Sequence, residues 1–508
     1  MLAVFWRVRT APPQHRHPKD GRILPASGES LATHNVTIPI FDEKIAARRI
    51  LMAYQYEVVV IGSGSAGHEA CLGAAKAGLS TLLVEEGSLG GTGMHRGSYA
   101  VRALRACATY FSKIENAAKA GASVGTVEPD WTSWLTAQRR SSSDLSVEFS
   151  RAIDREKVDL RFGHARLVGP NEIVITDPGR TPEQRVTAKH IIIAAGSRPN
   201  FASQPEVGIL NSDQLLRQAL AARHLFVIGG GYIGCELASI YRALGSRVTL
   251  AEAGPRLLPN WDPVAGDRFL NVLLGAGVDV LLNEPVALPP PVVGNAANYK
   301  LSTGTIIQPD VSLVATGRKP NSDDLGLESV GLTAGTWIPV NEQMRTSIQS
   351  IYAVGDITGI GLLDSIATAQ ARAAVDTILG KPALFNKRWF PQFLHTEPPI
   401  ASVGWAEDEA KGVGLPVEAV SWSGSLLTDD DFSAVQREQM TIKCLLHTDN
   451  ANILGCIAIG SRAAEIINLV STAMQNGQSA REVAKLPAVH PSATEVLVRT
   501  LRQRFDHP

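Results

Sequence analysis

Two glycine runs, each placed at the end of a β-branched strand and each followed at the same distance by an acid, constrain this 508-residue chain more than any other feature. Tyr56 to Ile61 leads into Gly62-x-Gly64-x-x-Gly67 and an alanine-rich helical stretch, and His224 to Ile228 leads into Gly229-x-Gly231-x-x-Gly234 and a second one. In such a motif the first glycine permits the turn, the second lets backbone approach a pyrophosphate, and the third allows close helix-strand packing. The helix N-terminus then faces the phosphates. The strand Ser80 to Val84 ends in Glu85 and the strand Arg247 to Ala251 ends in Glu252, each 23 residues after the first glycine of its motif. An acid there accepts a hydrogen bond from a ribose hydroxyl. The spacing predicts an α/β fold with two Rossmann-like domains and two bound dinucleotides. Because Glu252 would repel a 2′-phosphate, the second site should favour NAD over NADP.

Charge and composition remove other classes. Lys and Arg number 48 against 49 Asp and Glu, a net charge of -1. No basic stripe invites nucleic acid or an anionic membrane. No apolar run approaches the roughly 18 residues of a membrane span, so no membrane span is expected. The five cysteines, Cys71, Cys107, Cys235, Cys444 and Cys456, include no CxxC, which predicts a reducing, cytoplasmic setting and no metal site. Residues 1–52 read as a disordered or targeting extension outside the fold, or as the product of a start upstream of Met52. Arg7, Arg9, Arg16 and Lys19 precede the first acid, Asp20, as in an organelle-targeting peptide, but Pro12, Pro13, Pro18 and Pro25 interrupt the helix that such a peptide needs.

Further motifs follow the glycine runs: Ile191-Ile-Ile-Ala-Ala-Gly-Ser-Arg-Pro199, Leu313-Val-Ala-Thr-Gly-Arg-Lys-Pro-Asn321, Ile351-Tyr-Ala-Val-Gly-Asp356, Thr396-Glu-Pro-Pro-Ile-Ala-Ser-Val-Gly404 and Ile453-Leu-Gly-Cys-Ile-Ala-Ile-Gly460. Together they resemble the FAD/NAD flavoproteins of the pyridine nucleotide-disulfide oxidoreductase family. The resemblance implies FAD on Gly62, Gly64, Gly67, Glu85, Gly91, Thr92, Gly196, Gly355 and Asp356, with Asp356 at the ribityl chain. It implies NAD(H) on Gly229, Gly231, Gly234, Glu252 and Gly317. The implied domains are an FAD-binding domain over 53–196 and 325–385, an NAD-binding domain over 197–324, and a C-terminal α+β dimerisation domain over 386–508. A homodimer follows.

The chain departs from the resembled family where the chemistry matters most. That family carries two cysteines five residues apart on the helix after Gly90-Gly91-Thr92, and here Gly93 and Ser98 stand at those positions. Neither residue can exchange a disulfide. Cys107 lies nine residues beyond Ser98, about 13 Å along a helix, and does not replace them. Cys71 and Cys235 read as packing residues, and Cys444 and Cys456 as core of a predicted antiparallel strand pair. The family's lysine-glutamate pair beside the flavin becomes Arg102 and Glu236, Tyr232 matches its aromatic lid, and His490 with Glu495 matches its acid/base pair from the partner subunit. Ser98, His490 and Glu495 also spell a hydrolase triad, which is rejected because no nucleophile elbow surrounds Ser98.

The function expected is hydride transfer from NADH to FAD and on to a small non-disulfide acceptor of the quinone or dye (diaphorase) type. Met94 to Ser98, Arg102 to Arg105 and Ser365 to Arg372 are also similar to soluble pyridine nucleotide transhydrogenases, whose acceptor is a second nicotinamide nucleotide. A non-catalytic FAD-binding scaffold or redox-responsive module is the alternative of another class.

Overall fold

The computed structural model describes residues 54–505 apart from 120, 124, 126, 178, 219, 291, 294, 295, 384 and 427–437. The extension over 1–52 lies outside the described residues. The first sheet has seven strands, six of them in the order β3-β2-β1-β6-β5-β4: β1 (Tyr56–Ile61), β2 (Thr81–Glu85), β3 (Asp159–Phe162), β4 (His164–Gly169), β5 (Glu172–Asp177) and β6 (Arg180–Ile193). The seventh, Ile351–Ala353, returns to pair in parallel with β6. Val58, Val59 and Val60 of β1 are wholly buried. Successive residues on a strand point to opposite faces. Val58 and Val60 accordingly enter a helix-covered core while Val59 and Ile61 enter a second core beneath β4 and β5. A strand buried on both faces reads as a continuous apolar run, which is why Val58 to Ile61 shows no alternation.

The second sheet repeats the design with five strands, all parallel, in the order β10-β9-β8-β11-β7: β7 (Ile209–Asn211), β8 (His224–Ile228), β9 (Arg247–Ala251), β10 (Asp279–Leu281) and β11 (Val311–Val314). The expected α/β class is borne out. A third sheet is antiparallel, in the order β12-β13-β16-β15-β14: β12 (Gln392–Leu394), β13 (Ile400–Gly404), β14 (Val417–Leu426), β15 (Glu438–His447) and β16 (Ile453–Ile459). One face of it lies under helices that include Ala463–Gln475 and Ala493–Arg502. Its other face sends Leu394, Ile400, Ile457 and Ile459 into the core of the second sheet. That shared core brings the end of β12 to the second glycine motif.

Five helices carry the site: α1 (Ser65–Lys76), α2 (Gly91–Arg96), α3 (Ser98–Lys119), α4 (Tyr232–Ala243) and α5 (Asp364–Ile378). Ala66, Ala70 and Ala74 fall one per turn on α1 and share a core with Ala367, Ala371 and Ala374 of α5. Such small side chains let the two helices approach closely. Ala100, Leu104 and Ala108 of α3 belong to the same core as Leu237, Ile240 and Tyr241 of α4. Among the described residues, no helix is long and apolar enough to cross a membrane.

Candidate active site

The two glycine motifs have the same geometry. Gly62 has φ +97° and Gly229 φ +110°, the left-handed region that favours glycine. A Cβ on Gly62 would stand 2.5 Å from the Ala194 carbonyl oxygen, and one on Gly229 2.6 Å from that of Ala315. At the third positions the clash is tighter: 1.8 Å from the Gly62 oxygen for Gly67, and 1.9 Å from the Gly229 oxygen for Gly234. The middle glycines differ in kind, because a Cβ on Gly64 or Gly231 would meet nothing within 4 Å. The protein itself does not require glycine there, whereas a phosphate lying against the backbone does. Both helices begin at these glycines without a capping side chain and without an acid in the first turn. The free N–H groups of α1 and α4 therefore suit an anion.

Each acid closes over its own glycine loop. The Glu85 carboxylate accepts from Ser63 N–H at 2.8 Å, Ser63 Oγ at 2.6 Å and Gly87 N–H at 2.7 Å. The Glu252 carboxylate accepts from Gly230 N–H at 2.6 Å and Gly254 N–H at 2.7 Å. The residues fit two dinucleotides on these observations.

A cavity of about 1040 Å³ opens on the first motif and is bordered by Gly62, Gly64, Glu85, Gly91, Thr92, Gly196, Gly355 and Asp356. It is at the upper end of the range for small-molecule sites, about 300–1,000 Å³. Asp356 is half-buried and accepts from Ser197 Oγ at 2.6 Å; desolvation raises its carboxyl above the usual range. Ser197 Oγ in turn accepts from Arg318 Nε at 2.8 Å. Arg318 and Arg96 flank Asp213 at 3.6 and 2.8 Å, so a polar chain runs from the α2 wall of the cavity to Asp356. Gly317, with φ +119°, holds the turn before Arg318, and its carbonyl accepts from Asn200 N–H at 3.0 Å.

Tyr232 is half-buried and borders both this cavity and a second one of about 700 Å³ that reaches Asp262 and the third sheet. Glu236, one turn further along α4, also borders the first cavity, and burial pushes its carboxyl up to about 7. The expected Arg102–Glu236 ion pair is corrected by the structure. Arg102 is exposed, with its guanidinium 5.7 Å from the Tyr99 ring. Glu236 instead accepts from the His395 backbone N–H at 2.6 Å, and the cation that lowers its pKa is Arg105. The reason is helical phase: three residues on α3 turn the side chain by about 300°, so Arg105 faces the chain after β12. There its Nε donates to the Thr396 carbonyl at 3.1 Å.

Gly93 and Ser98 both border the first cavity. A Cβ on Gly93 would lie 3.9 Å from Ser98 Oγ and 3.3 Å from Ser65 Oγ, so the two positions stand side by side. The cysteines are elsewhere. Cys71 and Cys235 are buried, with burial pushing the Cys71 thiol up to about 12 and that of Cys235 higher. Cys107 is half-buried, and burial raises its thiol too. Cys444 and Cys456 face each other across β15 and β16 with their sulfurs 3.3 Å apart in the core. Among the described residues, no cluster of three or more His, Cys, Asp or Glu could hold a metal.

His490 and Glu495 meet, with Nδ1 2.8 Å from Oε2, and Arg499 donates to the other carboxylate oxygen. The His490 bond holds the Glu495 carboxyl below the usual range. The imidazole is 76% exposed and is not brought to the cavity within one chain. Residues that sequence reasoning did not place at the site are Arg96, Phe393 and His395, together with Arg105 beside it. The only advance signal was the basic character of Arg96 and Arg105 in an otherwise helical stretch.

Comparison with known proteins accords with this arrangement. The family model described as pyridine nucleotide-disulphide oxidoreductase matches residues 56–374, and that of its dimerisation domain matches residues 390–501. The glutathione reductase of Burkholderia cepacia is 31% identical over 461 residues, spanning 89% of this chain and 100% of that one. The dihydrolipoyl dehydrogenase of Chlorobaculum tepidum is 31% identical over 454 residues, spanning 88% and 96%. LpdA from Mycobacterium tuberculosis has the same fold, with a TM-score of 0.78 at 24% identity over 88% of this chain and 99% of that one. The HOCl-induced flavoprotein disulfide reductase RclA from Escherichia coli gives 0.74 at 23% over the same shares. The chain thus belongs to the pyridine nucleotide-disulphide oxidoreductase family, whose members use FAD and NAD(P)H.

Proposed function

We propose that this FAD-dependent NAD(P)H oxidoreductase takes its electrons from NADH and delivers them to a small non-disulfide acceptor of the quinone or dye type. The observation that carries this reading is the pair Gly93 and Ser98, side by side on the cavity wall with no thiol at either position. RclA is a disulfide reductase by name, and a glycine and a serine cannot form the mixed disulfide that such chemistry needs. The gap also leaves room for a flat molecule. FAD, when bound, supplies the two-electron chemistry that links nicotinamide to acceptor.

The chain's residues have distinct tasks in this reading. Gly62, Gly64 and Gly67 receive the FAD pyrophosphate at the α1 N-terminus, Glu85 the adenosine ribose, and Asp356 the ribityl chain. Gly91, Thr92, Gly196 and Gly355 shape the same cavity. Gly229, Gly231, Gly234 and Gly317 receive NADH, with Glu252 accepting from its 2′-hydroxyl. Tyr232, between the two cavities, covers the ring until nicotinamide displaces it. Glu236, whose carboxyl burial pushes up to about 7, can take up and release a proton near neutral pH close to the reacting region. Arg105 fixes the segment that carries its partner, and Arg102 offers a solvated cation at the cavity mouth. His490, exposed on one chain and held by the half-buried Glu495, is offered to the second copy of a homodimer built on the dimerisation domain.

The test is steady-state turnover of the FAD-loaded protein with NADH or NADPH against menadione, ferricyanide, thio-NAD⁺, lipoamide and glutathione disulfide. Menadione and ferricyanide should be reduced faster with NADH than with NADPH. Turnover with either disulfide and none with menadione would overturn the proposal, and fast thio-NAD⁺ reduction would move it to a transhydrogenase.

A further inference from the structure

The proposed acceptor route leaves one half-buried side chain without a task. His395 follows β12, borders the first cavity together with Tyr99, Phe393 and Ser98, and donates its backbone N–H to Glu236 at 2.6 Å. Its Nδ1 is buried with no hydrogen-bond partner. An unpaired buried polar atom is disfavoured unless something else is gained. The ring is firmly placed, edge-on to Phe393 at 4.9 Å between centroids, and Phe393 is itself flanked by the Arg105 guanidinium at 6.0 Å. With Nδ1 walled off, Nε2 is the nitrogen that can meet a bound molecule.

We infer that His395, Phe393 and Tyr99 form the acceptor subsite, and that its ligand is a para-quinone whose carbonyl oxygen accepts a hydrogen bond from His395 Nε2. This inference rests on the non-disulfide reading above. Burial, with Arg105 and Arg102 nearby, pushes His395 down to about 4, so the ring is neutral at pH 7. A neutral imidazole protonated on Nε2 presents one N–H donor at the cavity and no charge, which suits an uncharged carbonyl better than a carboxylate or phosphate. The aromatic rings of Phe393 and Tyr99 supply the flat, apolar contact that a quinone ring wants. The reaction balances as quinone plus NADH plus a proton giving hydroquinone plus NAD⁺. NADH gives up the electron pair with one proton as a hydride equivalent, and the second proton comes from solvent. His395 orients the acceptor and is not itself consumed.

The test combines a spectroscopic and a kinetic readout on the FAD-loaded protein. In histidine labelled with ¹⁵N, the Nε2 resonance of His395, assigned by its loss in His395→Phe, should shift when menadione is added to the oxidised protein and stay in place when ferricyanide is added. In turnover with NADH, His395→Phe should lower the ratio of menadione to ferricyanide kcat/KM about 2- to 10-fold, the worth of one neutral hydrogen bond, chiefly through KM. His395→Gln, which keeps a side-chain N–H, should recover most of it, and flavin content reports whether each variant folds. An unchanged ratio in His395→Phe, or an Nε2 signal indifferent to menadione, would overturn the subsite while native quinone turnover left the broader reading standing. A native protein that reduces ferricyanide but no quinone would also overturn the subsite alone, and one that reduces neither would overturn both.

Discussion

Alanine at Gly231 and alanine at Gly234 separate what the second glycine motif does for a ligand from what it does for the fold. Gly231 has φ -73° and ψ -176°, a conformation open to any residue, and a Cβ there meets nothing within 4 Å. The free protein should lose only the advantage of glycine over alanine at an N-cap, no more than about 1 kcal/mol. Gly234 is the opposite case, because its Cβ would stand 1.9 Å from the Gly229 carbonyl oxygen, where real Cβ contacts stay above 3.0 Å. Helix α4 must back away from β8 by roughly 1 Å against a close-packed core, at the upper end of the 1–3 kcal/mol that overpacking costs. NADH binding should show the reverse order of directness. In Gly231→Ala the methyl occupies the space meant for phosphate and removes at least one charge-assisted hydrogen bond, about 1.5–3 kcal/mol, or a tenfold or greater rise in Kd. Thermal unfolding without nicotinamide, and NADH titration of the folded variant, measure the two effects separately. A Gly231→Ala protein as unstable as Gly234→Ala, or one that binds NADH as tightly as the native chain, would refute the reasoning.

Other outcomes follow from the same geometry. Glu252→Ala should lower kcat/KM for NADH and raise the NADPH-to-NADH ratio by about tenfold, since one repulsive charge near a 2′-phosphate is removed and one ribose hydrogen bond is lost; initial rates with each nucleotide check it. Glu236 is protonated in the fold up to about pH 7 but loses its proton near pH 4.5 when unfolded. It therefore makes stability fall as pH rises between those values, by at most about 3 kcal/mol, and denaturant melts of Glu236→Gln should lack that slope. His395 has the opposite sign: it is held neutral down to about pH 4 against about 6.5 for a free imidazole, so its part of the stability is lost as pH falls through that window, and the Glu236→Gln melts should expose it. Gly93→Cys with Ser98→Cys should install a closable pair, seen as two thiols missing from a thiol count of the unreduced, denatured protein, while either single change leaves the thiols titratable.

What the sequence made readable was whatever a short stretch of backbone decides. Gly62, Gly67, Gly229 and Gly234 announce themselves because each collides with an atom of the same strand-turn-helix unit or of the strand beside it. Glu85 and Glu252 stand beside the glycine loops, as their spacing implied, because their bonds go to N–H groups of the very loops that the glycines define. The pairing of His490 with Glu495 was readable for the same reason, being local to the start of one helix. Arg102 and Glu236 were misread because their relation depends on the phase of α3 against a segment nearly three hundred residues later, where Arg105 reaches Thr396. His395 carried no signal at all, since a histidine after a short strand becomes notable only when the third sheet's core, through Leu394 and Ile400, drives that strand against α4. Motif spacing thus points to the proposed nucleotide clamps, whereas the inferred acceptor subsite is assembled only where the chain after β12 meets α3 and α4. The wall that Gly93 and Ser98 share with Phe393 and His395 joins residues about 300 positions apart, which no short stretch of backbone could have announced.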